Sequence, residues 1–197
     1  MTERMLRVLG PTVVEADGER RPVRGLAGQV ACILASRFPQ AVPSDVIAEA
    51  LWPNRPPKES RAGLRVALHR LRQLLGDTDA VVNENDGYRL ALTPDEVDQV
   101  RFEAGAESSS ATQLSAVLDL WSGHAYEPFD DDELLRSSST RLTALRLDVE
   151  ERYVDALLAE ANLDQAAMRA SILVDEEPYR ERRWELLMMA LLSLIHI

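Results

Sequence analysis

Between Arg61 and Gln73 the chain reads Arg-Ala-Gly-Leu-Arg-Val-Ala-Leu-His-Arg-Leu-Arg-Gln, a spacing that places its cationic and amide side chains together if the segment is helical. At about 100° per residue, Leu64, Leu68, Leu71 and Leu75 share one face, while Ala62, Arg65, Val66, His69, Arg70 and Gln73 lie broadly opposite and Arg61 and Arg72 flank the seam. A guanidinium presents paired donors that fit the two acceptors on the major-groove edge of guanine, and a glutamine amide fits adenine in the same way. An aliphatic face turned inward and this set turned outward is the chemistry that a helix in a major groove needs. The period alone equally describes a solvated amphipathic face, so the flanking elements have to decide between the two.

Those elements are readable in order. Met5 to Val14 is rich in Leu6, Val8, Thr12, Val13 and Val14, and Asp17-Gly18 signals a turn into a second β-prone stretch around Val23, which predicts a hairpin or small sheet. Leu26 to Phe38 carries Val30, Ile33, Leu34 and Phe38 at helical spacing and stops at Pro39; Ser44 is placed to cap a short second helix bearing Val46, Ile47, Ala50 and Leu51, which Pro53 stops. The stiff loop Trp52-Pro53-Asn54-Arg55-Pro56-Pro57 leads to Ser60, the expected cap of the third helix, which runs through Leu75 and closes at Gly76. Val81 and Val82 then pass through Asn83 to Gly87 into Tyr88–Leu92, with Asp86-Gly87 as the hairpin signal. Sheet, three helices and a terminal hairpin predict a winged helix-turn-helix over residues 1–92.

The formal charge of -11 hides two unlike halves: residues 1–92 hold 13 Lys+Arg against 11 Asp+Glu, residues 93–197 nine against 22. Within the first half, Arg55 to Arg72 contains Arg55, Lys58, Arg61, Arg65, Arg70 and Arg72 against Glu59 alone. Because screening acts over roughly 8 Å at physiological salt, that local patch governs encounter with a polyanion more than the distant acidic half does.

The second half reads as helices only. Ser108-Ser109-Ser110 marks a boundary, Leu114, Val117, Leu118 and Trp121 an apolar face ending at Gly123, and Glu133 to Ala161 a long amphipathic helix. Leu163 to Val174 and Pro178 to Leu191 are two more, with Pro178 in the first turn and Trp184, Leu187 and Met188 facing a core. Asp130-Asp131-Asp132-Glu133 lacks the alternating ligands and central glycine of a calcium loop and reads as a charged helix start. His124 is isolated, and Cys32, among Ala31, Ile33 and Leu34, reads as packing. No Gly-rich phosphate loop, Gly-x-Ser-x-Gly or zinc spacing occurs, so neither an enzyme nor a cofactor or metal is expected. One cysteine, no signal-peptide pattern and no apolar run of membrane-spanning length predict a cytoplasmic protein with no membrane partner.

Taken together, Leu6-Arg7-Val8-Leu9-Gly10-Pro11, Ala50-Leu51-Trp52-Pro53, Leu64 to Arg72 and Gly87-Tyr88-Arg89-Leu90 resemble the Streptomyces antibiotic regulatory protein (SARP) family. Asp95-Glu96-Val97-Asp98 and Arg101-Phe102-Glu103 are similar to the start of that family's second domain. The resemblance implies a fold that is mainly α with small β-sheets: a winged helix-turn-helix, then a tetratricopeptide-like bacterial transcriptional activator domain over residues 93–191. It implies a sequence-specific transcriptional activator that binds double-stranded promoter DNA, commonly at direct repeats, where a homodimer is one possible arrangement, and contacts RNA polymerase. Carried over residue by residue, Arg65, Val66, His69 and Arg70 would face bases or nearby phosphates, Arg61 and Arg72 the backbone, and Tyr88 a phosphate. Gln73, on the same outward face by its helical spacing, is a further DNA-binding candidate. Trp52, Asn54, Arg55 and Lys58 would belong to the polymerase-contact loop. Glu84 and Asp86 depart from the family pattern and argue against a minor-groove contact by the wing. A helical-repeat interaction or signalling module without DNA binding is the alternative reading, from the acidic second half. Residues 192–197, Leu-Ser-Leu-Ile-His-Ile, resemble a translated sequencing adapter, expected to interrupt the last helix and to be foreign to the natural chain.

Overall fold

The computed structural model describes residues 4–53 and 57–195, with the side chains of residues 57 and 58 outside the description. Strands β1 (Arg4–Arg7), β2 (Val13–Ala16) and β3 (Glu19–Pro22) form an antiparallel sheet in that order. Asp17 and Gly18 take φ of 53° and 78° between the paired residues Ala16 and Glu19, the left-handed pair that a tight hairpin needs. Helix α1 (Gly25–Ser36) buries Val30, Cys32, Ile33 and Leu34. The Cys32 thiol lies 3.1 Å from the Thr12 hydroxyl, and burial pushes its pKa up to about 12.

Helices α2 (Ser44–Leu51) and α3 (Pro57–Leu75) follow, separated from α1 by the short strand β4 (Val42–Pro43). Two cap expectations are corrected. Ser44 is the first residue of α2 and not its cap, and α3 begins a turn before Ser60, at Pro57, whose missing N–H costs nothing at a first-turn position. The end of α3 is as expected: Gly76, at φ 70°, donates to the Gln73 carbonyl while Asp77 donates to that of Arg72, closing a Schellman motif.

β5 (Val81–Glu84) and β6 (Gly87–Leu90) complete a second antiparallel sheet, ordered β4-β6-β5. Here the turn residues are Asn85 and Asp86, at φ 49° and 64°, and not the expected Asp86-Gly87 pair. Gly87 has another reason to be glycine: a Cβ there would lie 2.5 Å from the Val42 carbonyl oxygen on the neighbouring strand.

The first compact unit does not stop at the wing. It runs through Phe102 and includes Trp121–Leu142. A 3-10 turn (Pro94–Glu96) is closed by a Thr93–Glu96 capping box and tied to β1 by Arg4, whose Nε donates to Glu96 at 2.6 Å and Nη1 to Asp77 at 3.0 Å. Helix α4 (Asp98–Gly105) opens with a fully buried Asp98 that accepts the N–H groups of Val8, Leu9 and Gln99. Phe102 meets Trp121 edge to face, with centroids 5.3 Å apart, and the buried Tyr126 hydroxyl donates to Gln99 at 2.7 Å. Helix α6 (Glu133–Ala159) starts in this unit, where the Asp132 carboxylate accepts the Leu134 N–H.

The second unit, described by itself, holds α5 (Ala111–Leu118), most of α6, α7 (Leu163–Glu176) and α8 (Glu181–Ile195). Ala166, Ala170 and Leu173 of α7 and Leu186 and Ala190 of α8 are buried where these two helices pack together. Three expectations are corrected here. Pro178 precedes α8 and does not start it. Trp184 and Met188 are 46% and 54% exposed, the indole N–H donating to the Pro178 carbonyl, so they are not core. α8 also continues unbroken to Ile195, because Leu192 to Ile195 contains no helix breaker. Among the described residues no helix is long and apolar enough to cross a membrane.

Candidate nucleic-acid interface

α3 packs on α1 and α2 through Leu64, Ala67, Leu68, Leu71 and Leu75, all buried. That packing fixes the rotation of the helix, and with it the outward face. Arg61, Ala62, Arg65, Val66, His69, Arg70 and Gln73 are exposed, Val66 at 69%. Among the described residues, Arg61, Arg65 and Arg70 have no acidic partner, so none of these residues neutralises their charges. An unpaired guanidinium keeps its full donor fork for an external acceptor.

Arg72 is placed differently. It is half-buried, and its Nε and Nη2 donate to the Val81 carbonyl at 2.9 and 2.6 Å, fastening the last turn of α3 to β5. Sequence reading missed this partner, for which no local signal exists.

On the wing, Tyr88 is half-buried in β6, opposite Asn83 of β5 and Val42 of β4. Glu84, one of the two carboxylates noted at the wing, is ion-paired to Arg89 at 2.5 Å, while Asp86 stays exposed at the turn. Arg89 was not singled out in the sequence; the i, i+5 spacing across a two-residue turn is the signal that would have found it.

Trp52, at the start of the loop before α3, packs its ring on Gly63: a Cβ on Gly63 would lie 2.6 Å from Trp52 Cη2. The absence of a side chain at Gly63 therefore lets the indole lie against α3. Asn54, Arg55 and the side chain of Lys58, the other members of the expected polymerase-contact loop, lie outside the described residues.

Comparison with known proteins gives this geometry a setting. The bacterial transcriptional activator domain matches residues 93–194. The chain is 28% identical over 202 aligned positions to the transcriptional regulatory protein MoaR1 of Mycobacterium tuberculosis, across 92% of this chain and 64% of MoaR1. It is 32% identical over 161 positions to the regulatory protein AfsR of Streptomyces griseus, across 74% of this chain and 16% of AfsR. Mycobacterium tuberculosis EmbR, solved in complex with a low-affinity phosphopeptide, superposes with a TM-score of 0.83 at 25% identity, over 96% of this chain and 55% of that one. The chain thus spans less than two thirds of the length of these relatives. A winged helix followed by helices that match the bacterial transcriptional activator domain, in a chain similar along most of its length to named regulators, places this protein in the SARP family of transcriptional regulators.

Proposed function

We propose that the chain is a sequence-specific DNA-binding activator that reads the major groove with α3. The observation that carries this is the division of α3 into a buried leucine face and an exposed face whose Arg61, Arg65 and Arg70 have no partner among the described residues. Arg65 and Arg70 are the base readers, with Val66, His69 and Gln73 beside them and Arg61 on phosphate. Tyr88 adds a phosphate contact from the wing. For Arg72 its bond to Val81 supports a positioning role instead. Activation runs through RNA polymerase contact by the Trp52–Lys58 loop, with two copies on direct repeats.

Titration of the full chain against its own upstream promoter region tests the proposal. Removing a bidentate arginine should cost about 1–3 kcal/mol at one base position, so Arg65→Ala and Arg70→Ala should each weaken and relax binding. Affinity indifferent to sequence, or unchanged in both variants, overturns it.

A further inference from the structure

The unit that carries the basic face of α3 also carries a groove of opposite character. α2 and the start of α6 frame an open groove of about 900 Å³. Its walls present the carboxylates of Asp45, Glu49, Asp132 and Glu133, with Val46 and Leu134 between them, and no lysine or arginine lines it among the described residues. Val46 is 38% exposed, whereas Ile47 and Leu51 on the other side of α2 are buried.

We propose that this groove docks a basic amphipathic helix of a protein partner. Charge complementarity selects the occupant: four carboxylates repel the phosphates of nucleic acid and attract lysine and arginine, while Val46 and Leu134 need an apolar ridge between those cations. The volume is that of roughly two turns of a helix about 10 Å across. One wall is preorganised, because the Asp132 carboxylate accepts from the Gln29 amide at 2.6 Å and from the Leu134 N–H at 2.9 Å. α2, one wall of the groove, packs on α3. The inference goes beyond the DNA reading and does not rest on it.

The test uses the full chain and a fluorescein-labelled helical peptide with leucines at i, i+3, i+4 and i+7 flanked by arginine and lysine, read by fluorescence anisotropy. A control peptide has the same composition with the leucines scattered. The patterned peptide should bind at least about tenfold tighter than the scattered one, and Glu49→Arg with Glu133→Arg should weaken it about tenfold or more. Val46→Ser should weaken it several-fold. The charge-matched pair Asp164→Arg with Asp175→Arg, exposed in the second unit, should leave it nearly unchanged. Equal binding of the two peptides, or equal loss in both reversal pairs, reduces the attraction to diffuse acidity and overturns the proposal. Self-association of the chain that Val46→Asp abolishes assigns the groove to a second copy and overturns it as well.

Discussion

Two hydrogen bonds from the Arg72 guanidinium to the Val81 carbonyl, at 2.9 and 2.6 Å, join the end of α3 to the first strand of the wing. Of the arginines between residues 61 and 72, this one is turned back toward the protein, and that separates positioning from contact. Arg72→Ala should cost about 1–3 kcal/mol of stability, since it leaves a half-buried carbonyl without its charged donor. Its effect on DNA affinity should be the same at every salt concentration. Arg61→Ala should do the reverse: little change in stability, and a log K against log salt slope reduced by about one. Titrations between about 50 and 200 mM salt measure both slopes. A reduced slope in Arg72→Ala would show that its remaining N–H groups reach a phosphate.

Gly87 and Gly76 are glycine for different reasons, and alanine should expose the difference. At Gly76, with φ 70° and nothing within 4 Å, an added Cβ meets only backbone strain, about 1–2 kcal/mol. At Gly87 the Cβ would sit 2.5 Å from the oxygen and 2.9 Å from the carbon of the Val42 carbonyl, atoms of a paired strand that cannot rotate aside. Gly87→Ala should therefore part β4 from β6, costing at the upper end of the 1–3 kcal/mol typical of overpacking or about that. Urea unfolding of the two variants ranks them; a Gly87→Ala midpoint at or above that of Gly76→Ala contradicts the ordering.

What could be read in advance follows the physics of each signal. The leucine face of α3 was legible because a period of 3.6 is a one-dimensional property, and the Asp17-Gly18 turn because few residues accept a left-handed backbone. Partners distant in sequence were not. Nothing near Asp98 announces that Val8 and Leu9 will supply its donors, and nothing near Trp121 points to Phe102. The same limit explains Trp184 and Met188: periodicity finds an apolar face, but whether another element covers it is a fact of the tertiary fold. On α3 the pattern located the arginines; only packing distinguished Arg72 from Arg65 and Arg70.

Arg183 is the largest fully buried side chain of the second unit and the centre of an ion cluster. Its Nη1 donates to the Leu173 carbonyl at 2.6 Å and its Nη2 to Glu150 at 3.2 Å, with Glu151 3.6 Å from its Nε. Removing the cation takes the buried partner from Glu150 and Glu151 and leaves them only the more exposed Arg146 and Arg180, so Arg183→Met should cost about 3 kcal/mol, the lower end for breaking a buried pair, although it preserves much of the volume. Adding Glu150→Met should recover part of that loss, because a buried carboxylate that has lost one of its two arginines goes with it. Calorimetric unfolding of the single and double variants decides; a double variant less stable than the single would mean that the cluster acts by shape and not by charge.

At Asp98 two opposing effects act on one carboxyl. Burial pushes its pKa up, while the N–H donors of Val8, Leu9 and Gln99 and the charge of Arg7 pull it down; burial wins and leaves it at about 6, against 3.8 for an ordinary aspartate. A carboxyl whose pKa rises on folding binds its proton more tightly in the folded chain. Its contribution to stability is therefore greatest below about pH 4, declines as pH rises from about 4 to 6, and is level above that, a swing of about 3 kcal/mol. Other carboxylates titrate in the same range, so the useful quantity is the difference between the native chain and Asp98→Asn, whose amide carries no titrating proton. In urea unfolding at about pH 4.5 and pH 7, the native chain should lose stability relative to Asp98→Asn as pH rises. A difference that grows in the opposite direction would mean that the three N–H donors outweigh desolvation, and that Asp98 joins α4 to the Val8–Leu9 segment as a stable anion throughout.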